Sequence, residues 1–254
     1  MNLIAVWGSS GSGKTTVSLA LGAELARERS VLILSTDSRA PALPVYLPKD
    51  EVKLNRNNSL SGLLEHPEMI SVDSLRGRLH LHSQSRQLAF AGYVSGELPG
   101  ITSNAVLHDS AMTLLQMLPQ VGFDTAIVDC DANAAYDGLT LAALEAAQTV
   151  LRISTPTIKD FEYQKAQLAW MQSNAALKVD RHIKVANHSM PFSPLEDAKT
   201  LFGGFDFILP YADQVAERMM AGELLRDFYQ RSAIDFSRQI KRLSERAKGE
   251  DTAA

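Results

Sequence analysis

The sequence predicts a doubly wound α/β domain: a mostly parallel sheet with helices on both faces. Three observations predict it. Short apolar runs alternate with helical patterns of about 10–15 residues. A glycine-rich segment joins the first run to the first helix. No linker is long enough to divide the chain, so residues 1–254 are expected to form one domain.

The elements follow in order. Asn2–Trp7 is an apolar run ended by glycine, hence a buried strand. From Lys14 the pattern turns helical, with Val17, Leu21 and Leu25 on one face. Val31–Ser35 is a second strand. The next stretch, residues 36–48, carries Pro41, Pro44 and Pro48, which argue against a helix and against a central strand. Residues 59–67 predict a short helix, and residues 78–83, "RLHLHS", alternate like a strand. Residues 103–118 read as a helix capped by Ser103. Alternation then resumes. Strands are expected at 125–131, 149–154, 182–188 and 205–210, and helices at 139–147, about 157–173 and near 194–201. From Ala212 onward the tail reads as helical.

The bulk numbers narrow the class. With 25 Lys and Arg against 29 Asp and Glu, the net charge is −4, which argues against a generally basic nucleic-acid binder. The single cysteine, Cys130, permits no internal disulfide and is expected to be a small buried residue. No apolar run approaches the ~20 residues that span a bilayer, and the N-terminus lacks signal-peptide character. A cytoplasmic protein is expected, with a place at the inner face of the membrane left open.

"GSSGSGKT", Gly8 to Thr15, fits G-x-x-x-x-G-K-[ST] between a strand and a helix. Glycines let backbone N–H groups curl around phosphate oxygens, and the helix N-terminus adds its positive end. The expected cradle is Gly8, Ser9, Ser10, Gly11, Ser12, Gly13, Lys14, Thr15 and Thr16. Lys14 would reach the β- and γ-phosphates, and the Thr15 hydroxyl would ligate Mg²⁺. Asp129 ends an apolar strand, where it would hold Mg²⁺ through water. Asp37, just past the second strand, would orient an attacking water. In a parallel sheet both would stand at the edge where the phosphates sit. Asp131 is a further acid there.

These residues resemble the ParA/MinD group of ATPases, within the SIMIBI class of P-loop NTPases. Five ordered segments carry the likeness: "GSSGSGKTTVSLALGAELA"; "VLILSTDSRAPALPVYL" with "NSLSGLLEH"; "FDTAIVDCDAN" through "STPTIKDF"; "IKVANHS"; and "ILPYADQVAERMMAGELL". The resemblance implies ATP and Mg²⁺ as cofactors, Asn187 against adenine, and Pro210 and Tyr211 beside the base. It also implies an ATP-dependent homodimer.

Departures matter as much. The family places a second lysine where this chain has Ser9, and that lysine crosses the dimer to the partner's phosphates. Serine is short and neutral, so hydrolysis is expected to be slow unless Arg39 or Arg152 substitutes. Ser35 replaces a switch aspartate, and Asn133 a switch glycine.

The missing lysine is similar to members tied to pilus, secretion or conjugation assembly. The expected role is therefore a nucleotide switch that positions such an apparatus with a protein partner. Three alternatives stay open: a partitioning ATPase binding DNA, a nucleotide-binding scaffold without turnover, and a small-molecule kinase. GTP is disfavoured because no N-K-x-D motif follows a strand. One cysteine cannot hold a shared iron–sulfur cluster, and no C-x-x-C is present. "LSGLL" at residues 60–64 mimics part of a transporter signature without completing it. His80 and His82 lie on one side of a strand without an evident third ligand, and His108 and His188 read as incidental. Phe236, Ile240, Leu243 and Ala247 form a helical stripe in a basic tail, which either packs on the sheet or meets membrane or DNA.

Overall fold

The computed structural model describes residues 1–47, 54–95, 104–187 and 195–248. The strands are β1 (Asn2–Gly8), β2 (Val31–Ser35), β3 (His80–His82), β4 (Ser85–Ala91), β5 (Thr125–Asp129), β6 (Thr149–Ser154), β7 (Ile183–Asn187) and β8 (Phe207–Leu209). They form one sheet in the order β3-β4-β2-β5-β1-β6-β7-β8. Every pairing is parallel except β3 with β4.

The α-helices are α1 (Lys14–Leu25), α2 (Leu43–Tyr46), α3 (Ser61–Glu65), α4 (Val72–Arg76) and α5 (Asn104–Val121), then α6 (Gly138–Ala146), α7 (Ile158–Met171), α8 (Leu195–Phe202), α9 (Asp213–Ala221) and α10 (Arg231–Ala247). Successive strand residues point to opposite faces, and both faces are covered. Ile4, Val6, Ile33 and Ile127 pack with Leu21 of α1 and Phe236 and Leu243 of α10. Leu3, Ala5, Trp7, Leu32 and Val128 pack with Leu114 of α5 and Leu139 of α6.

Four readings of the sequence change. The proline-bearing stretch does hold a helical turn, α2. Pro44 lies in its first turn, where a missing N–H costs nothing. The "HLH" strand has a hairpin partner, β4, which the sequence reading did not separate, and α4 was likewise not anticipated. The tail is two helices. Gly222, at φ +69°, ends α9 in the left-handed region, and α10 starts only at Arg231. The stripe of α10 is buried against α1 and β8, so it packs on the core rather than facing outward. Ser103 and His188 lie outside the described residues. No described helix is long and apolar enough to cross a membrane.

Candidate functional site

The loop after β1 is shaped by close approaches. A Cβ on Gly8 would sit 2.2 Å from the Ile153 carbonyl oxygen, and one on Gly13 would sit 2.0 Å from Asn187 Nδ2. Gly11 and Gly13 take φ of +79° and +89°, where side chains are strained. The Ser9 carbonyl accepts from Ser12 N at 3.2 Å, Ser12 Oγ at 2.9 Å and Lys14 Nζ at 2.8 Å. The Lys14 ammonium is thus folded back over the loop. α1 begins at Lys14 without a side-chain cap and without an acid in its first turn, which leaves its N–H groups to an incoming anion. Ser10 lines the same hollow, and Thr16 lies half-buried in that first turn.

Lys14, Thr15, Asp37, Arg39 and Asp129 share one cavity of about 310 Å³. Parallel pairing in register puts β1, β2 and β5 side by side, so their carboxyl ends deliver these groups to one edge. Asp129 Oδ2 accepts from the Thr15 hydroxyl at 2.7 Å and from the Tyr46 hydroxyl at 2.6 Å. Its Oδ1 is buried and has no hydrogen-bond partner. Burial raises the Asp129 pKa, while the Tyr46 and Thr15 hydroxyls and the Lys14 charge pull it down. Asp37 Oδ1 accepts from the N–H groups of Arg39 and Ala40, both at 2.9 Å, a turn that fixes the carboxylate at the cavity wall.

The two strand ends are tied together. Arg39 donates to both oxygens of Asp131 at 2.7 and 2.8 Å. Thr36, after β2, meets Thr140 of α6 at 2.7 Å, and both hydroxyls lie within bonding distance of the Asp131 N–H. A second cavity of about 530 Å³ adjoins the loop and is lined by Ser9, Arg39, Lys159, Asp160 and Tyr163 among others. Burial raises the Asp160 pKa, and the neighbouring Ser9 hydroxyl lowers it. Tyr163 donates to the Ala132 carbonyl.

Asn187 ends β7 and donates from Nδ2 to the Ser12 carbonyl at 2.8 Å, bracing the loop from behind. Pro210 and Tyr211 follow β8 at the same edge but line neither cavity, and the Tyr211 hydroxyl turns to Asp213. Arg152 does not serve the phosphate edge. It sits within β6, facing a cleft between α7 and α8. Arg39 alone of the two arginines lies beside the loop. His108 is paired, its Nε2 2.9 Å from Glu145, so it links α5 to α6. His80 and His82 are buried in β3, and among the described residues no group of three acids, histidines or cysteines is disposed to hold a metal. Cys130 is a free, buried thiol.

The ParA family ATPase of Chlorobium tepidum TLS superposes with a TM-score of 0.72, covering 96% of this chain and 99% of that one at 13% identity. The chain has the ParA/MinD-type P-loop ATPase fold. The septum site-determining protein MinD of Pyrococcus horikoshii OT3, complexed with Mg-ADP, shares the ParA/MinD fold at a TM-score of 0.67 and 17% identity, over 96% of this chain and 95% of that one. No protein-family model matches the sequence. The ESX-1 secretion-associated protein EspI of Mycobacterium tuberculosis is 23% identical over 255 residues, 96% of this chain and 37% of EspI. The chain thus spans little more than a third of that relative's length.

In this fold the glycine loop follows β1, Asp129 ends β5 and Asp37 lies two residues past β2, so all three sit at one edge. Tyr46, Thr36, Thr140 and Tyr163 were not foreseen. Tyr46 lies in a stretch read as irregular, and an isolated tyrosine there carries no periodic signal.

Proposed function

We propose that residues 1–254 act as one domain that binds Mg·ATP and hydrolyses it slowly, a switch that positions or assembles a cellular apparatus. The supporting observation is the convergence of Lys14, Thr15, Asp37 and Asp129 on one cavity at a helix N-terminus. The residues fit the implied group. Gly8 and Gly13 leave backbone where any Cβ would collide, and Asp129 keeps a buried oxygen without a partner. Mg·ATP would supply a γ-phosphoryl group for transfer to water.

Within that reading, residues 8–16 hold the phosphates, with Lys14 released from the Ser9 carbonyl to reach them. Thr15 and Asp129 hold the metal, Asp129 through water. Asp37 orients the attacking water rather than taking its proton, since an ordinary carboxylate is a weak base. Asn187, Pro210 and Tyr211 meet the base. With Ser9 in place of a lysine, Arg39 is a cation lining the cavity beside the loop, and it is engaged with Asp131. That engagement supports slow turnover.

The apparatus is of pilus, secretion or conjugation type. The departure at Ser9 supports this, as does the secretion association in the name of EspI. The protein works in the cytoplasm or at the inner membrane face, with a protein partner, and pairs with a second copy when ATP is bound. Calorimetry with Mg·ATP and phosphate release from wild type and Asp37→Ala test it. Binding by both and turnover lost only in Asp37→Ala are expected. Binding without turnover in either would leave a scaffold, and no binding would overturn the reading.

A further inference from the structure

Arg152 is out of keeping with its strand. Its neighbours in β6, Val150, Leu151 and Ile153, are buried apolar residues. Its side chain opens into a cleft of about 350 Å³ between α7 and α8, walled by Phe161, Leu168, Leu201 and Phe202, with Lys165 beside it. Phe161 and Phe202 meet edge to face at 5.5 Å and hold the two helices at that spacing. Leu201 remains 49% exposed. Burial lowers the Arg152 pKa, and the nearest compensating charge, Asp206, acts without forming an ion pair.

The surroundings are positive. Arg152 lies opposite Lys184 in the parallel register, and side chains so paired share a face. Lys184 spends its ammonium on the Gly203 carbonyl at 2.5 Å. Asp206 accepts from the Lys184 backbone N–H at 2.6 Å, but among the described residues no carboxylate lies within 4.0 Å of the Arg152, Lys165 or Lys184 side-chain nitrogens. A half-buried guanidinium without a counter-ion is costly, and the planar fork of arginine matches a carboxylate. Gln164 and Gln172 share the cleft with Phe161, Leu168, Ala169, Leu201 and Phe202, so the anion it suits is borne on a largely apolar body.

We infer that the α7–α8 cleft is a docking site for a partner protein's peptide segment, one that presents a carboxylate to Arg152 beside an aromatic or aliphatic side chain seated against Phe161, Leu168 and Phe202. The carboxylate is an Asp or Glu side chain or a chain terminus. Lys165 reads the same charge from the rim. The site is separate from the phosphate edge, although α7 connects the two: its first turn holds Asp160 beside Ser9, and Gln164 donates to the Ile153 carbonyl at 3.2 Å.

The test is selection of a displayed random octapeptide library with free C-termini against the whole immobilised chain, run in parallel on Arg152→Met. Enrichment of peptides joining an acid or terminal carboxylate to Phe, Leu or Ile is expected, with binding about tenfold weaker or worse on Arg152→Met. Arg152→Met should melt at the same temperature or higher, because it removes a buried charge that lacks a partner. The inference is overturned by no enrichment, by enrichment of neutral or basic peptides, or by equal enrichment on the variant. A clearly lower melting temperature would make Arg152 structural, and phosphatidylserine vesicles binding wild type but not Arg152→Met would assign the cleft to lipid. Mg·ATP affinity, measured alongside, is expected to be the same in both chains, which separates this result from the nucleotide reading.

Discussion

Thr15 Oγ1 and the Tyr46 hydroxyl donate to the same oxygen of Asp129. One donor stands in the first turn of α1 and the other on α2, so a single carboxylate joins the phosphate loop to the segment after β2. The joint is buried, and Tyr46 stacks on Phe90 at 4.8 Å. The segment carrying Asp37 and Arg39 is therefore anchored at the carboxylate proposed to hold the metal.

Tyr46→Phe keeps the stacked ring and removes one donor. Losing it leaves the carboxylate less satisfied, at a cost of about 1–3 kcal/mol to the unliganded fold. The Tyr46 hydrogen bond also lowers the Asp129 pKa, so its loss raises that pKa further. The carboxylate must be ionised to hold the metal. The acid limb of Mg²⁺-dependent ATP binding should therefore move to higher pH in Tyr46→Phe. Calorimetric titrations at a series of pH values check this, and an unmoved limb would disconnect Tyr46 from the metal site.

Gly11 and Gly13 separate two effects of a side chain in the loop. Both have positive φ, but a Cβ at Gly11 meets nothing within 4 Å, whereas one at Gly13 strikes Asn187. Gly11→Ala should cost about 1–2 kcal/mol from backbone strain alone. Gly13→Ala should cost more and weaken ATP binding more steeply. Adding Asn187→Ala to Gly13→Ala should recover part of the loss, the part due to collision. A thermodynamic cycle over the four proteins measures that coupling, and strict additivity would show that Asn187 does not press on the loop.

Most of the strands, the glycine loop and Asp129 could be read from residue patterns because each rests on a local signal: an apolar run, a glycine, an acid at its end. Asp129 shows this, its position following from "TAIVD" alone. What escaped was set by partners distant in sequence. Tyr46 finds Asp129 across 83 residues. Arg152 belongs to the α7–α8 cleft because of its place in β6, which its type did not reveal. The hairpin of β3 and β4 was missed because Arg86 and Gln87 expose its outer half and blur the alternation.

The tail offers a test by packing. Phe236 is 2% exposed and meets Phe228 edge to face at 6.4 Å. Phe236→Ala should destabilise the chain by about 3–5 kcal/mol, as core truncations of this size do. A helix lying on a membrane would instead lose vesicle binding with little change in stability. Urea unfolding of the variant decides between them, and a shift below about 1 kcal/mol would detach α10 from the core.

Two buried groups pull stability in opposite directions between about pH 4 and 6.5. Asp137, the N-cap of α6, is raised by burial from 3.8 to about 6. Its contribution is full below the unfolded value and is lost as pH rises through 6. His182 is lowered by burial from 6.5 to about 4. Its contribution is full above 6.5 and is lost as pH falls through 4. Shifts of this size are each worth about 3 kcal/mol, so the two largely offset one another. Asp137→Asn keeps a capping oxygen for the Thr140 N–H, bonded at 2.6 Å, and removes the titration. Relative to wild type, its stability should rise more steeply with pH across this window. His182→Gln should show the reverse, a stability that falls more steeply with rising pH. Denaturant unfolding at half-unit pH steps reads both slopes. Parallel profiles for wild type and Asp137→Asn would mean that Asp137 titrates alike in the folded and unfolded chain.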